Sequence, residues 1–487
     1  MIAKRRPKRS PAGGGKEIVN LSAGEIARAT GGTVLYGDSL SRIQGVSSDS
    51  RQIQAGELFV PLQGPNFDGH QFIGEALRKG AAGSLARRDW EPKEGGFDFP
   101  GKFLLRVDDT LKALGDLAHV WRRRHSRVKV VAITGSNGKT TAKEMTARIL
   151  SGPFRILQTE GNLNNLIGLP LMLLKLSPDH EVAVLEMGMN VAGEIRRLKE
   201  IAEPRVSLIT NIGRAHLEFL GSLEGIARAK GELWEGLRAD DWIAVNRDDP
   251  CVAGLAEAVR CRKKTFGIRE RAEISAEDLA VEPGRGIRFS LKLDGGKRAV
   301  RLNTFGRHNV YNALGAASLA AILGLSLEEI GAGLEKFQPY AGRGRILRLG
   351  RNLHLLDDTY NANPDSLEAT LLAFGEMKEK SRGLVVLGDM LELGPGTVDF
   401  HVKAGKRVGE LGFGHLFFLG DQGEHLAAGA RSAGMDEGRI HSFTTPEEVW
   451  ESLEDAVEEG DWILIKGSRR MRLERIVEEL ISRLGKK

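Results

Sequence analysis

Cysteine is almost absent from this sequence, which has only Cys251 and Cys261 among its 487 residues. Two thiols are too few for a disulfide framework, and no companion residues stand at a spacing typical of a metal site. Both are therefore predicted to be reduced packing residues, which favours a cytoplasmic protein.

Long apolar runs are also missing. No stretch approaches the ~18 uninterrupted apolar residues that a membrane span needs, so no span is expected. Residues 1–16 lack the apolar core of a secretory signal, and their basic, Gly- and Pro-containing composition predicts a disordered tail. This tail holds a cluster of the positive charge behind the formal net charge of +5. The remainder is close to neutral, which gives no indication of a nucleic-acid partner.

The length is sufficient for about three domains. Composition and periodicity predict a small α/β domain at 17–127, a central domain at 128–340 and a third at 341–487, where turn residues give way to a new α/β alternation. The predicted fold class is therefore α/β, with a mostly parallel central sheet of the P-loop type, helices on both of its faces, and a Rossmann-like last domain.

The most informative stretch is residues 128–150. A short β-branched run is followed by the sequence TGSNGKTT at 134–141 and by a helical pattern, the order of a strand, a glycine loop and a helix start. Backbone N–H groups of such a loop bind phosphate. Lys139 is expected to reach the terminal phosphates of a nucleotide and the Thr140 hydroxyl to face a divalent cation. The loop departs from the common pattern because Ile133 stands in place of the first glycine; an ordinary βα turn is the alternative.

Two further strands of the predicted sheet end on polar side chains. Glu186 follows the run 182–185, and His216 lies shortly after the run 206–210. Ligands of open parallel sheets bind beyond the carboxyl ends of the strands, so both residues are expected near Lys139. Mg²⁺ ligation would suit the carboxylate better than the imidazole. Hydrogen-bonded polar groups at strand ends are the plainer alternative.

A helix is predicted at 223–237 after Ser222, a suitable N-cap. Lys230 lies on its apolar stripe with Ile226, Leu233 and Trp234. Such a lysine either extends its amine to solvent or remains desolvated and reactive, and the pattern alone leaves both readings open.

The stretch 249–296 is interpreted as alternating strands and turns. An Ala-rich helix then follows Gly306. Asn309 and Asn312 near its start are candidates for hydrogen bonds to a purine edge, although N-capping explains Asn309 equally well.

In the last domain three predicted strands end on polar loops, at 357–364, 388–394 and 466–469. Asn363 and Pro364 are predicted to be the N-cap and first residue of a helix. Polar groups at one end of a second sheet predict a cleft facing the central domain. The complete site is therefore expected only when these two domains meet.

Taken together, these motifs resemble the Mur ligase family of ATP-dependent amide-forming enzymes of peptidoglycan precursor synthesis, from about Glu17 to the end of the chain. The resemblance is carried by the loop 134–141, by NLNNLIG at 162–168, by AKGE at 229–232 and by the strand-end residues. The motifs DTYNANP at 358–364 and GDMLELG at 388–394 resemble those of the branch that adds a dipeptide.

The resemblance implies roles for individual residues. Lys139, Lys230, His216, Arg343 and Asp358 would be catalytic. The residues implied to bind ATP are Gly135, Ser136, Asn137, Gly138, Lys139, Thr140, Thr141, Asn309, Asn312 and Arg343. Those implied for Mg²⁺ are Thr140, Glu186, His216 and Lys230, the last as a carbamylated lysine. Those implied for the other substrates are Ser50, Arg51, Asn66, Asn162, Asn164, Asn165, Tyr360, Asn361, Asn363 and Asp389.

The implied reaction joins D-alanyl-D-alanine to UDP-N-acetylmuramoyl-tripeptide through an acyl phosphate. Small-molecule substrates and a monomeric enzyme are expected. The sequence does not distinguish lysine from diaminopimelate as the third residue of the tripeptide. Two rival functions are a nucleotide-hydrolysing switch, which needs no amine acceptor, and a non-catalytic UDP-sugar binding protein, which would not depend on Lys139.

Overall fold

The computed structural model describes residues 19–92 and 97–485. The basic tail predicted at 1–16 lies outside the described residues. The chain divides into two compact units. Unit 1 contains the described parts of Met1–Val130, Phe154–Leu185 and Arg197–Glu203, and unit 2 contains those of Val131–Pro153, Glu186–Arg196 and Pro204–Lys487.

The strands of the described chain are β1 (Leu21–Ser22), β2 (Thr33–Tyr36), β3 (Arg42–Ile43), β4 (Gly45–Ser47), β5 (Glu57–Phe59), β6 (Gln63–Gly64), β7 (Phe67–Asp68), β8 (Gly83–Arg87), β9 (Phe103–Val107), β10 (Lys129–Thr134), β11 (Ile156–Gln158), β12 (Val182–Glu186), β13 (Val206–Ile209), β14 (Trp242–Asn246), β15 (Arg262–Gly267), β16 (Ile274–Glu282), β17 (Gly286–Leu293), β18 (Gly296–Leu302), β19 (Arg345–Arg348), β20 (His354–Asp357), β21 (Gly383–Gly388), β22 (His415–Leu419), β23 (Ile440–Phe443) and β24 (Trp462–Lys466).

The α-helices are α1 (Ala23–Thr30), α2 (Ile73–Arg78), α3 (Thr110–Arg124), α4 (Lys139–Leu150), α5 (Gly168–Leu173), α6 (Glu194–Ala202), α7 (Leu217–Leu220), α8 (Leu223–Gly231), α9 (Pro250–Glu257), α10 (Arg307–Ile322), α11 (Leu327–Glu335), α12 (Pro364–Lys378), α13 (Thr397–Glu410), α14 (Gly423–Ser432), α15 (Pro446–Ala456) and α16 (Glu474–Leu484). Among the described residues, none of these helices is long and apolar enough to cross a membrane.

Unit 1 contains a five-stranded sheet with the order β2-β9-β8-β5-β4, in which only β2 is antiparallel to its neighbour. Phe59 and Leu104 on its strands pack with Ile73 and Leu77 of α2 to form a buried core. Helix α3 begins at Asp109, whose carboxylate accepts the first free N–H groups of the helix. Unit 1 also holds the parallel pair of β11 with β12 up to Leu185.

Unit 2 contains a run of strands with the order β10-β13-β14-β15-β16-β17-β18. The pairs are parallel as far as β16, and β17 and β18 follow as antiparallel strands. Alanine and glycine residues of α10 allow this helix to pack closely on the sheet, and the residues Asn309 to Ala320 are almost all buried. Nearly continuous apolar strands such as Val206–Ile209 are typical of parallel sheets covered on both faces.

The second sheet of unit 2 has the order β19-β20-β24-β21-β22-β23, and only β19 is antiparallel to its neighbour. Alternate residues of β21 point to opposite faces. Val385 and Leu387 belong to a core with α12, α13 and α14, whereas Leu384 and Val386 belong to a core with α15 and α16. The predicted α/β class with mostly parallel sheets is confirmed.

Two predicted elements were wrong in their extent. The stretch 249–296 was interpreted without a helix, but Asp249 caps α9, with Pro250 in its first turn. The helix expected at 223–237 ends at Gly231 and continues as one 3₁₀ turn. The side chain of Glu232 is buried there and accepts the backbone N–H groups of Gly193 and Arg196.

Candidate active site

The glycine loop between β10 and α4 has the backbone form that its sequence predicts. Gly135 and Gly138 have φ angles of 145° and 79°, which favour glycine. A side chain at Gly135 would collide with the Thr210 hydroxyl, and one at Gly138 would collide with the Asn312 side chain. Both glycines therefore permit close approach of neighbouring segments as well as an unusual backbone conformation.

The loop is fixed by the segment that follows β13. The Asn211 side chain accepts the Asn137 N–H at 3.0 Å and donates to the Asn137 carbonyl at 2.9 Å. The Ser136 hydroxyl donates to the Gly213 carbonyl at 2.9 Å and accepts the Gly213 N–H at 2.8 Å. These reciprocal bonds attach the loop to the segment that follows β13.

Lys139, Thr140 and Thr141 form the first turn of α4, where free N–H groups favour an anion. The Lys139 amine donates to the carbonyl oxygens of Gly135 and Ser136, at 2.8 and 3.2 Å. Burial lowers the pKa of Lys139; the charge of Glu186 opposes this shift and that of Arg343 adds to it. A polyphosphate would supply the negative charge that this cation lacks.

Lys230 is buried in the same region, with only 1% of its surface exposed. Burial, and then the charge of Lys139, lower the pKa of Lys230 well below its ordinary value. The interpretation in which its amine extends to solvent is therefore wrong. Both causes disfavour the ammonium form, and the neutral amine is the nucleophilic form of a lysine.

Glu186 and His216 lie near the two lysines. Glu186 is buried at the end of β12. The pKa of His216 is lowered by burial and by the charges of Lys139 and Lys230, against the opposing effect of Glu392. Nδ1 of His216 lies 2.8 Å from a carboxylate oxygen of Glu392. His216 has a left-handed backbone with φ of 59°, which is uncommon for residues other than glycine.

Residues of the segment after 340 complete the region. The Arg343 guanidinium stacks on the Tyr360 ring at 3.6 Å from its centroid, and Arg469 lies over the same ring at 5.6 Å. The Asp358 carboxylate accepts the amine of the buried Lys466 at 2.6 Å. These contacts fix Asp358 and leave Arg343 half-buried near Lys139.

Asn309 and Asn312 form a hydrogen-bonded pair on α10, with the Asn312 amide donating to Asn309 at 2.9 Å. Asn309 donates in turn to the Phe305 carbonyl at 2.8 Å, so it lies inside the first turn, and the N-cap position belongs to Gly306. The capping interpretation of Asn309 is therefore wrong. Asn312 lies against Gly138 of the phosphate loop.

The residues predicted to bind the other substrates occupy several loops. In unit 1, Arg51 is exposed and paired with Asp49, Ser50 is buried, and Asn66 is exposed. Also in unit 1, Asn162 and Asn165 are exposed and Asn164 is half-buried. In unit 2, Asn361 is exposed, and Asn363 caps α12 as predicted.

Asp389 has contacts that give it a structural role. Its carboxylate accepts the backbone N–H groups of Asp421 at 2.9 Å and Gln422 at 3.1 Å. Both acceptor oxygens are thereby used within the protein.

Three residues of the region were given no individual role from the sequence: Asn211, Glu392 and Lys466. Glu392 and Lys466 do lie in the loops 388–394 and 466–469 that were predicted to line a cleft. Asn211 directly follows a buried strand, which is a signal that sequence reasoning had available. Glu392 and Lys466 contact residues more than 100 positions away in the chain, so no local pattern indicates their partners.

A pH effect on stability is expected from His308, the half-buried neighbour of Asn309. Burial lowers its pKa from 6.5 to about 4. As the pH falls from 6.5 to 4, His308 therefore becomes protonated in the unfolded chain before it does in the folded protein. The free energy of unfolding decreases over this pH range by at most about 1.4 kcal/mol per pH unit. Urea unfolding at several pH values, compared between the wild type and His308→Gln, measures this contribution. An equal slope in both proteins would contradict it.

Family models match this chain over most of its length. The Mur ligase middle domain matches residues 133–320, the Mur ligase glutamate ligase domain matches 342–469, and the Mur ligase family catalytic domain matches 42–122. The chain belongs to the Mur ligase family. The resemblance read from the sequence motifs is thus confirmed.

Individual Mur ligases are similar over nearly their whole length. The UDP-N-acetylmuramoyl-tripeptide–D-alanyl-D-alanine ligases of Bacillus subtilis and Escherichia coli are each 36% identical over 440 residues, covering 90% of this chain and 93% and 94% of theirs. A crystal structure of MurF from Acinetobacter baumannii has a TM-score of 0.86 at 32% identity, covering 96% of this chain and 100% of the other. MurF from Thermotoga maritima in complex with ADP has a TM-score of 0.78 at 28% identity, covering 89% and 96%.

Proposed function

We propose that this Mur ligase joins D-alanyl-D-alanine to UDP-N-acetylmuramoyl-tripeptide at the expense of ATP. The proposal is carried by the phosphate loop, in which Lys139 lies near a second, desolvated lysine, Lys230. It is supported by similar proteins that are named for this activity. Binding of ATP is supported by the ADP complex of the similar Thermotoga maritima protein.

In the proposed reaction the γ-phosphoryl group of ATP passes to a carboxylate oxygen of the tripeptide, and ADP leaves. The amine of the dipeptide then attacks the acyl carbon, phosphate leaves, and the amine loses a proton as the amide forms. Positioning and charge neutralisation dominate such phosphoryl transfers. Lys139 and the N–H groups of the first turn of α4 would hold the phosphates, and Arg343 would neutralise charge as the peptide carboxylate becomes an acyl phosphate.

The residues at this site could supply part of the ligand set that a bound Mg²⁺ needs. Among residues 19–92 and 97–485, no three His, Cys, Asp or Glu side chains gather as a metal cluster. Glu186 and Thr140 supply oxygen and His216 supplies nitrogen, so the site needs a further oxygen ligand. Mg²⁺ bound there would neutralise phosphate charge.

Carbamylation of Lys230 would provide that oxygen ligand. Its neutral amine nitrogen bonds to the carbon of CO₂ and releases one proton, which turns the neutral amine into an anion. The support is the burial of Lys230 together with the positive charge of Lys139, both of which disfavour the ammonium form. The carbamate would also offset the charge of Lys139.

The other substrates are assigned to separate parts of the chain. We assign the UDP-sugar to the loops 47–51 and 66–70, a substrate contact to the segment 162–168, and the incoming dipeptide to the loop 360–363 and to Asp389. We propose that binding of the different substrates is divided among three domains, with the limits 17–127, 128–340 and 341–487. ATP and a nucleotide-linked acceptor are cytoplasmic metabolites, which supports a cytoplasmic reaction, and a monomer is proposed for it.

The deciding experiment is a phosphate-release assay with ATP and Mg²⁺. UDP-N-acetylmuramoyl-dipeptide or -tripeptide is crossed with a single diamino acid or with D-Ala-D-Ala, and tripeptides ending in lysine and in diaminopimelate are both included. Phosphate release is expected only with a tripeptide and D-Ala-D-Ala together. Release with the dipeptide substrate and a diamino acid would assign the preceding ligation instead, and release without any acceptor would favour a nucleotide-hydrolysing switch.

A further inference from the structure

The segment Asn211–Glu218, called here the bridging segment, contacts the phosphate loop at one end and the chain after residue 340 at the other. Asn211 and Gly213 hold Asn137 and Ser136 of the loop. Farther along, the backbone N–H of Glu218 donates to the Glu392 carbonyl at 3.2 Å. A shift of this segment would therefore move the loop that carries Lys139.

The first turn of α12 contacts both the phosphate loop and the bridging segment. The Asn363 side chain caps α12 and also donates to the Asn137 side chain at 2.7 Å. Asp365 accepts the backbone N–H of Arg214 at 2.6 Å and its Nε at 2.9 Å, and the second guanidinium nitrogen lies 2.8 Å away. The Arg214 guanidinium also lies 5.8 Å from the centroid of the Phe400 ring on α13. One arginine thus joins two helices of the last segment to the bridging segment.

Glycine at position 213 permits this close approach. A Cβ built on Gly213 would lie 2.7 Å from the Asp365 carboxylate, closer than real Cβ atoms come to their neighbours. The same glycine makes the reciprocal bonds with Ser136. The Asp365 carboxylate is therefore packed directly against the backbone that holds the phosphate loop.

We propose that Arg214 and Asp365 are positioning residues that couple docking of α12 to the geometry of the phosphate loop during phosphoryl transfer. This inference rests on the proposed function. Ion pairs between half-exposed side chains usually contribute ~0–1 kcal/mol to stability, and Arg214 and Asp365 are 51% and 29% exposed. The pair is therefore expected to act on turnover rather than on stability. One carboxylate oxygen of Asp365 faces both guanidinium nitrogens, and the other accepts the Arg214 backbone N–H. These contacts fix the orientation of the pair, which matters most where a shift of about 1 Å changes the rate.

The test compares Asp365→Ala, Arg214→Ala and the double variant in the full-length protein, in the phosphate-release assay with both substrates saturating. The matched control is Glu368→Ala, one turn farther along α12. Glu368 accepts the Nε of Arg407 on α13 at 2.7 Å, and within the described part of the chain it makes no hydrogen bond to the phosphate loop or the bridging segment. Melting temperature is measured for every variant.

Each single variant is expected to lose about tenfold in kcat, and the double variant is expected to lose no more than either, because coupled residues are not additive. Glu368→Ala is expected to keep turnover within about twofold, with a melting temperature similar to that of Asp365→Ala. Wild-type kcat in Asp365→Ala would overturn the inference. So would a double variant whose loss in kcat equals the product of the two single losses. The inference also fails if the melting temperature of Asp365→Ala falls much more than that of Glu368→Ala. An inactive wild type would instead refute the proposed function, so the two failures are distinguishable.

Discussion

Replacing Lys230 with alanine is expected to lower ligase turnover by about 100-fold or more, the range observed when one electrostatic group of an active site is removed. The side chain is buried and its pKa is lowered by burial and by Lys139, so it contributes little as an ordinary cation. Its loss would remove the carbamate oxygen that we propose beside Glu186 and Thr140. The measurement is phosphate release with ATP, Mg²⁺ and both substrates.

Acetate is expected to restore part of the activity of Lys230→Ala, because a small carboxylate fits the space and the charge of the missing carbamate. Labelled bicarbonate followed by NMR should also report a carbamate signal in the wild type that is absent from this variant. Wild-type turnover in Lys230→Ala, or an identical response of both proteins to acetate, would reduce Lys230 to a packing residue.

Replacing Lys139 with alanine is expected to lower turnover by about 100-fold to 1,000-fold, because the variant loses the cation at the phosphate loop. The variant also loses the bonds from the Lys139 amine to the carbonyl oxygens of Gly135 and Ser136, but the bonds from Asn211 and the Ser136 hydroxyl to the backbone remain. The melting temperature should therefore decrease only slightly. Steady-state phosphate release and thermal unfolding of the purified variant measure the two effects.

The two lysine variants are controls for each other. Acetate should not restore Lys139→Ala, because that site lacks a cation rather than an anion. Turnover of Lys139→Ala within about tenfold of the wild type would contradict the assignment of Lys139 to the terminal phosphates.

Much of the site was predictable because it is encoded locally. The loop 134–141 has glycines at the two positions with positive φ, and its lysine starts the following helix. Glu186 ends a buried strand, and Ser222 caps α8 as predicted. Each of these features depends on residues that are close together in the chain.

The errors lie where contacts distant in sequence override the local pattern. The apolar stripe predicted a helix as far as 237, but the buried Glu232 side chain bonds to the start of α6, and the regular helix ends before it. Asn309 is a good capping residue by type, yet it lies inside the first turn of α10. Its side-chain amide donates there to the Phe305 carbonyl.

The phosphate loop, the α/β class and the likeness to the Mur ligase family could be predicted from the amino-acid sequence, because strand periodicity, glycine positions and motif residues are local properties. The folded structure was needed to show that Lys230 is buried near Lys139, that Glu392 pairs with His216, and that Asp365 packs against Gly213. The physical reason is that burial and pairing depend on which segments meet in space, and Asp365 lies about 150 residues from the glycine it contacts.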